Sequence, residues 1–343
     1  MKKRIYISYT GGTIGMRKNA QGYEPCHGFL EQQLAALPQL KDPSMPDYVI
    51  NEHSALLDSS NLRPEQWADI ADDIAKNYDD YNGFVVLHGT DTMAYSASAL
   101  SFMLSGLNKP VVFTGSQIPL VEVRNDALGN IISSLQIACN PDIAEVCLFF
   151  GNKLFRGCRT VKVHADGFNA FASPNYPLLG TAGVHIEINR DLLLPRKEKN
   201  ATPKLSVRAP KNPVVGTLRI FPGFSAALIN NILQEPLKGL VLETYGTGNA
   251  PHTNKEFLNA IEKATQRGVT IINVTQCLRG KISAGLYATS RALFDAGVIN
   301  GYDMTVEAAL TKLFFLLSEG HGPDVLRKLM QKSLNGEMSI FNQ

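Results

Sequence analysis

The sequence predicts an α/β protein, with a larger N-terminal domain on a mainly parallel sheet flanked by helices and a smaller C-terminal α/β domain. Three observations predict it. Runs such as Ile5–Tyr9, Phe84–Leu87, Val111–Phe113 and Val146–Phe150 are apolar throughout instead of alternating, as strands covered on both faces are. These runs end in turns, most of them rich in glycine, and helix-like stretches follow, which is the rhythm of a parallel sheet. The rhythm lapses across 188–212, where Pro195, Pro203 and Pro210 stand among many charges, and then resumes. The expected division is therefore a catalytic domain over 1–187, a connector over 188–212 and a second domain over 213–343.

Taken in order, Ile5–Tyr9 runs into Thr10-Gly11-Gly12-Thr13. The segment Arg17–Gly28 is polar and holds Gly22, Pro25 and Gly28, which suits a mobile lid more than a packed turn. Pro64 opens a helix over Glu65–Tyr78, since proline is tolerated in a first turn. Phe84–Leu87 leads into His88-Gly89-Thr90-Asp91 and the helical run Ala94–Leu104. Val111–Phe113 leads into Thr114-Gly115-Ser116, and Val146–Phe150 into a further turn. Beyond the connector come a strand at Gly239–Leu242, a helix at Asn254–Thr265, a strand at Val269–Val274 and a helix at Thr305–Ser318.

Composition excludes several classes. At 343 residues, 44% hydrophobic and 19% charged, the chain buries a core without disulfides or metals. A formal charge of +2 argues against nucleic acid and against an anionic membrane surface. The basic stretch Arg196-Lys197-Glu198-Lys199 reads as a solvated connector. Five cysteines, at 26, 139, 147, 158 and 277, form no C-x-x-C and point to reduced thiols. The seven histidines form neither H-x-H nor H-E-x-x-H, so no metal is expected. No apolar run approaches the roughly 20 residues of a membrane span, and the N-terminus has no secretory pattern. The expected location is cytoplasmic, and no cofactor is called for.

Two strand ends stand out, because ligands of open parallel sheets bind beyond the C-terminal ends of strands. They are Thr10-Gly11-Gly12-Thr13-Ile14-Gly15 and His88-Gly89-Thr90-Asp91-Thr92. Each loop alone reads as a tight turn or a helix cap. The first has G-G-x-x-G spacing, which departs from the dinucleotide fingerprint, and no Gly-Lys-Ser/Thr follows it. Together they offer threonine hydroxyls, a carboxylate and backbone amides. A threonine needs a positioned base or charged partner to attack an amide, and backbone amides can hold the oxyanion. Such an acyl-transfer site also needs a lysine from elsewhere.

Thr10-Gly11-Gly12-Thr13-Ile14, Gly22-Tyr23, Asp58-Ser59, His88-Gly89-Thr90-Asp91-Thr92 and Lys162 together closely resemble the bacterial L-asparaginases. The likeness continues through Thr114-Gly115-Ser116-Gln117, His164-Ala165-Asp166-Gly167-Phe168, Phe171-Ala172-Ser173-Pro174-Asn175 and Tyr245-Gly246-Thr247-Gly248-Asn249, essentially along the whole chain. Within the family it is similar to the cytoplasmic type I enzymes. The resemblance implies hydrolysis of L-asparagine to aspartate and ammonia, without cofactor, in a homo-oligomer that is a dimer of dimers. It makes Thr13 the nucleophile and Tyr23 a lid tyrosine that contacts Thr13. Thr90, Asp91 and Lys162 form the second catalytic cluster, with Asp91 also holding the substrate ammonium. Ser59 binds the α-carboxylate, with Asp58, Ser60 and Ser116 in the same binding set. Asn249 is a contact lent by a neighbouring subunit's C-terminal domain. His88 and His164 are read as structural.

The sequence also departs from the family. Ser60 stands where many relatives have glutamine, and no counterpart is evident for a glutamate that some relatives lend across the subunit interface. Tyr287 is the candidate substitute. Glu243, with Thr275-Gln276-Cys277, lies where some relatives bind effector asparagine, and its carboxylate would repel an effector carboxylate. Two rival readings stay open: glutamine hydrolysis or transamidation on the same loops, and a non-catalytic nucleotide or amino-acid binding module.

Overall fold

The computed structural model describes residues 2–20, 22–196, 204–209, 211, 213–283 and 288–339. They form two compact units, Met1–Arg208 and Ala209–Gln343. Tyr287 and Lys197-Glu198-Lys199 lie outside the described residues.

The first unit is built on eight strands. In spatial order they are Ile186–Ile188, Gly180–Ala182, Lys153–Arg156, Val146–Phe150, Val111–Thr114, Gly83–Leu87, Arg4–Gly11 and Asp47–Leu57. The five from Val146–Phe150 onward are parallel, and the three at the other edge pair antiparallel. The central strands are apolar on both sides because both sides are covered. Val85 and Leu87 join a core with Ile131 and Leu135 of the helix Ala127–Ile137. Helix Pro64–Lys76 buries Trp67, Ile70, Ala71 and Ile74, the i, i+3, i+4, i+7 stripe of an amphipathic helix. Each fully buried aliphatic side chain of this kind contributes about 1.5–3 kcal/mol.

Strand Asp47–Leu57 was not foreseen. It lies at the sheet edge, with residues that alternate between exposed and half-buried, and its polar run Asn51-Glu52-His53-Ser54 hides the strand signal. Part of the expected connector packs onto the first unit. Ile188 ends the outermost strand. Arg156 donates to Glu145 at 2.6 Å in a buried pair and to the Leu192 carbonyl at 2.7 Å, while Leu194 N–H donates to Glu145 at 2.8 Å. Ser206 and Val207 pair with Ser105 and Leu104.

Topology places the site. The chain leaves Arg4–Gly11 toward Asp47–Leu57 on one side, and leaves Gly83–Leu87 toward Val111–Thr114 on the other. Adjacent strands whose exits diverge leave a crevice beyond their C-terminal tips.

The second unit has four parallel strands in sequential order, Val215–Arg219, Gly239–Thr244, Thr270–Thr275 and Ile299–Asn300. Helix Lys255–Gln266 starts where the Asn254 side chain accepts from Phe257 N–H at 3.0 Å. In helix Val306–Ser318 the fully buried Lys312 pairs with Glu337 at 2.6 Å.

Candidate active site

The two glycine-threonine loops meet backbone to backbone at the crevice. Gly12 has φ 83°, and a Cβ there would fall 2.4 Å from the Gly89 nitrogen. A Cβ on Gly89 would fall 2.5 Å from Ser59 Oγ. Only glycine at both positions lets the three tips, from Arg4–Gly11, Gly83–Leu87 and Asp47–Leu57, close up like this. Gly12 N–H donates to the Leu57 carbonyl at 3.0 Å, and the Thr10 hydroxyl donates to that of Leu87 at 2.9 Å. Both bonds hold the first loop to its neighbours.

Thr90 is buried at this seam, 7% exposed. Lys162 Nζ donates to its Oγ1 at 2.9 Å and to Asp91 Oδ1 at 2.6 Å. The lysine comes from a short strand, Val161–Lys162, pinned antiparallel to Phe171–Ala172. The Lys162 side chain is 18% exposed and that of Asp91 61%, so the amine sits inside and the carboxylate faces outward. Thr90 donates in turn to Gln117 Oε1 at 3.1 Å. The Gln117 amide donates to the carbonyls of Ala165 and Gly167, each at 3.1 Å.

Thr13 opens a short 3-10 turn, Thr13–Gly15, and is half-buried. It lines a cleft of about 630 Å³ shared with Tyr23, Gln117, Glu122 and Arg124. Gln117 thus stands between the two threonines, bonded to one and bordering the cleft of the other. The segment expected as a lid is a two-stranded hairpin, Met16–Asn19 against Gly22–Pro25, with Tyr23 opposite Lys18. Tyr23 is 42% exposed. Its hydroxyl donates to Glu122 Oε1 at 2.6 Å, whereas the resemblance implies a contact with Thr13. That bond to a carboxylate holds the phenol above its ordinary pKa.

Asp58, Ser59 and Ser60 form the turn at the tip of Asp47–Leu57. Asp58 accepts from Ser60 N–H at 3.0 Å, and both are exposed. Ser59 is buried, and its carbonyl accepts from the Thr92 hydroxyl at 2.9 Å. Ser116 is buried beside Gln117, and its hydroxyl has no partner among the described residues. An orphaned buried hydroxyl costs free energy and calls for an explanation.

His88 is fully buried. Its Nδ1 lies 2.8 Å from the Gly89 carbonyl, which can only accept, so Nδ1 carries the proton and Nε2 accepts from Ser96 at 2.9 Å. Burial pushes its pKa down to about 4, and a neutral imidazole locked from both sides is structural. His164 Nδ1 accepts from the backbone of Asp166 and Gly167 and braces the turn after Lys162. Among the described residues no group of three or more His, Cys, Asp or Glu could hold a metal. Asn249 closes a turn of the second unit, exchanging backbone bonds with Tyr245. Glu243 accepts from the Thr217 hydroxyl at 3.2 Å in that unit. Gln117 falls within the Thr114-Gly115-Ser116-Gln117 likeness but has no part assigned there, and Glu122 lies outside every motif. A polar residue one step beyond the Thr-Gly-Ser strand end was the signal for Gln117, and Glu122 had none.

Two family models match the chain: the asparaginase N-terminal domain over residues 4–194 and the glutaminase/asparaginase C-terminal domain over 214–330. The chain belongs to the asparaginase family. It is 52% identical over 338 residues to L-asparaginase 1 of Escherichia coli K12, covering 98% of both chains. Its fold is similar to that of L-asparaginase I from Vibrio cholerae, with a TM-score of 0.91 and 48% identity over 99% of this chain and 100% of that one. The thermostable L-asparaginase of Thermococcus kodakarensis gives 0.84 and 31% over 98% and 100%. As a member of the asparaginase family the chain is an amidohydrolase, so the non-catalytic binding module falls away.

Proposed function

We propose that the protein is an L-asparaginase whose nucleophile is Thr13. The observation that carries this is the Lys162 amine bonded at once to Thr90 and Asp91, on the strand tip whose glycine touches the Thr13 loop. In this reading the Thr13 oxygen attacks the side-chain amide carbon, ammonia leaves, and water cleaves the acyl-enzyme. Tyr23 closes over the site and contacts the Thr13 hydroxyl. The Lys162–Asp91 pair sets the charge around Thr90, and Asp91, the more exposed of the two, holds the substrate ammonium. Ser59, with Asp58 and Ser60, receives the α-carboxylate, and the orphaned Ser116 hydroxyl is a further donor for the substrate. Backbone amides of the glycine loops stabilise the oxyanion.

The working unit in this reading is a homo-oligomer, a dimer of dimers, in which Asn249 of a neighbouring copy completes the site. Five free cysteines suit a reducing, cytoplasmic setting. Among the described residues no helix is long and apolar enough to cross a membrane. Glutamine is the natural second substrate, since one methylene is worth only about 1–3 kcal/mol of discrimination.

The test is ammonia release from asparagine and from glutamine by wild type and by Thr13→Ala. Wild type is expected to prefer asparagine, and Thr13→Ala to lose at least about 10³-fold in kcat with its fold intact. Near-wild-type turnover by the folded variant would remove Thr13 from the role.

A further inference from the structure

We infer that Gln117 is a positioning residue that fixes the direction of the Thr90 hydroxyl proton, an inference that rests on the amidohydrolase reading above. A threonine hydroxyl has one proton and two lone pairs. The Lys162 ammonium only donates, so at 2.9 Å Thr90 must accept from it. The Gln117 carbonyl only accepts, so at 3.1 Å Thr90 must donate to it. The single proton is therefore turned to Gln117, and one lone pair to Lys162. The other lone pair is left for a water or the substrate.

The orientation of the Gln117 amide is dictated by its surroundings. Its nitrogen faces two backbone carbonyls, Ala165 and Gly167, both at 3.1 Å. Flipping the amide would set an oxygen against two oxygens and present a donor to Thr90, which would turn the proton around. The backbone is held equally firmly. Gln117 N–H reaches both oxygens of Asp126 at 3.1 Å, and Ile118 N–H reaches one of them at 3.1 Å. Asn130 bonds the same carboxylate at 3.3 Å and the Gly115 carbonyl at 3.0 Å. The carbonyls that fix the amide belong to the turn directly after Lys162. Gln117 thus links the threonine to the turn that follows its lysine and borders the Thr13 cleft.

Two variants separate this role from simple packing. Gln117→Met fills the space and removes both functions. Gln117→Glu keeps an acceptor for Thr90, but it can donate to the turn carbonyls only when protonated. Titratable and charged groups face that position from several elements. Lys162 and Asp91 lie across Thr90, and Asp126 lies at the backbone. His164 and Asp166 stand on the turn, and Tyr23, Glu122 and Arg124 stand along the cleft.

With asparagine as substrate, Gln117→Met is expected to lose about 10- to 100-fold in kcat, with KM within about threefold of wild type. Gln117→Glu is expected to be similarly impaired at high pH and to regain kcat along a single-proton curve as pH falls. Wild type and Gln117→Met should show no such gain. Thermal midpoints measured alongside identify a variant that fails to fold, in which case the kcat of Gln117→Met or the pH curve of Gln117→Glu, whichever variant folds, decides. The inference is overturned if Gln117→Met keeps kcat within about twofold, if the loss appears in KM alone, or if the Gln117→Glu profile superimposes on that of wild type. Absence of ammonia release by wild type is a separate result: it removes the asparaginase reading itself, and this inference with it.

Discussion

The two threonine loops sit on adjacent strands and share the same glycine chemistry, yet they are held very differently. Thr90 is buried, with its hydroxyl bonded to Lys162 and Gln117, in a network that reaches from Asp126 to Gly167. Thr13 is half-buried in an open cleft, beneath a hairpin whose tyrosine is bonded elsewhere. Preorganised groups need no reordering at the moment of reaction, whereas a lid must be brought in each time. In the proposed reading the work is divided between a fixed half-site around Thr90, which sets charge and hydrogen-bond direction, and a Thr13 half-site completed when the Tyr23 hairpin closes.

The sharpest challenge to that division is Lys162→Met. If the fixed half-site supplies the charge, kcat for asparagine should fall by about 10²–10³-fold with little change in thermal midpoint, since the Lys162–Asp91 pair is partly solvated. A steady-state assay in parallel with calorimetry reads both, and a loss confined to stability would recast the lysine as a strut.

A smaller effect is expected at the moving half-site. Tyr23→Phe should cost about tenfold or more in kcat, because closure would no longer bring a hydroxyl to Thr13. Glu122→Gln should change kcat by only a few-fold, and it should return the Tyr23 phenol toward its ordinary pKa by weakening the bond that holds it up. Ultraviolet difference titration follows that phenol directly. An unchanged titration would mean that the Tyr23–Glu122 contact is not populated in solution.

The smallest effect concerns His88, inside the fixed half-site. Its folded pKa, about 4, lies below the unfolded value near 6.5, so the unfolded chain binds more protons between those limits. This residue therefore contributes a loss of stability as pH falls from about 6.5 to about 4 and nothing above it. Its imidazole resonances should shift near pH 4, with no inflection near 6.5. A titration at the ordinary value would show that the site is wetter than the buried ring implies.

The two halves were not equally legible from the sequence. Fixed elements were read well because their signals are local. Phe84–Leu87 falls within strand Gly83–Leu87, Val146–Phe150 coincides with its strand, and the helices over 65–78 and 94–104 match Pro64–Lys76 and Met93–Met103 to within two residues. The glycine loops were singled out because glycine next to threonine at a strand end is unusual. What the resemblance named without a local reason, as with Lys162, and what escaped altogether both depend on contacts distant in sequence. Lys162 alone is an ordinary lysine between two valines, and only pairing with Phe171–Ala172 turns it toward Thr90. Gln117 lies 27 residues from Thr90 and 50 from Gly167. The edge strand Asp47–Leu57 was lost to its polarity, and with it the reason that Ser59 stands beside Gly89.

The absent methyl groups at positions 12 and 89 bear on redesign. Because the strand tips touch there, widening the catalytic floor by mutating these glycines would push the loops apart rather than reshape a pocket. Attempts to alter amide preference belong instead on the cleft wall formed by Glu122, Val123 and Arg124. Val123 and Arg124 are exposed there, and a new side chain can extend into solvent without displacing a neighbour.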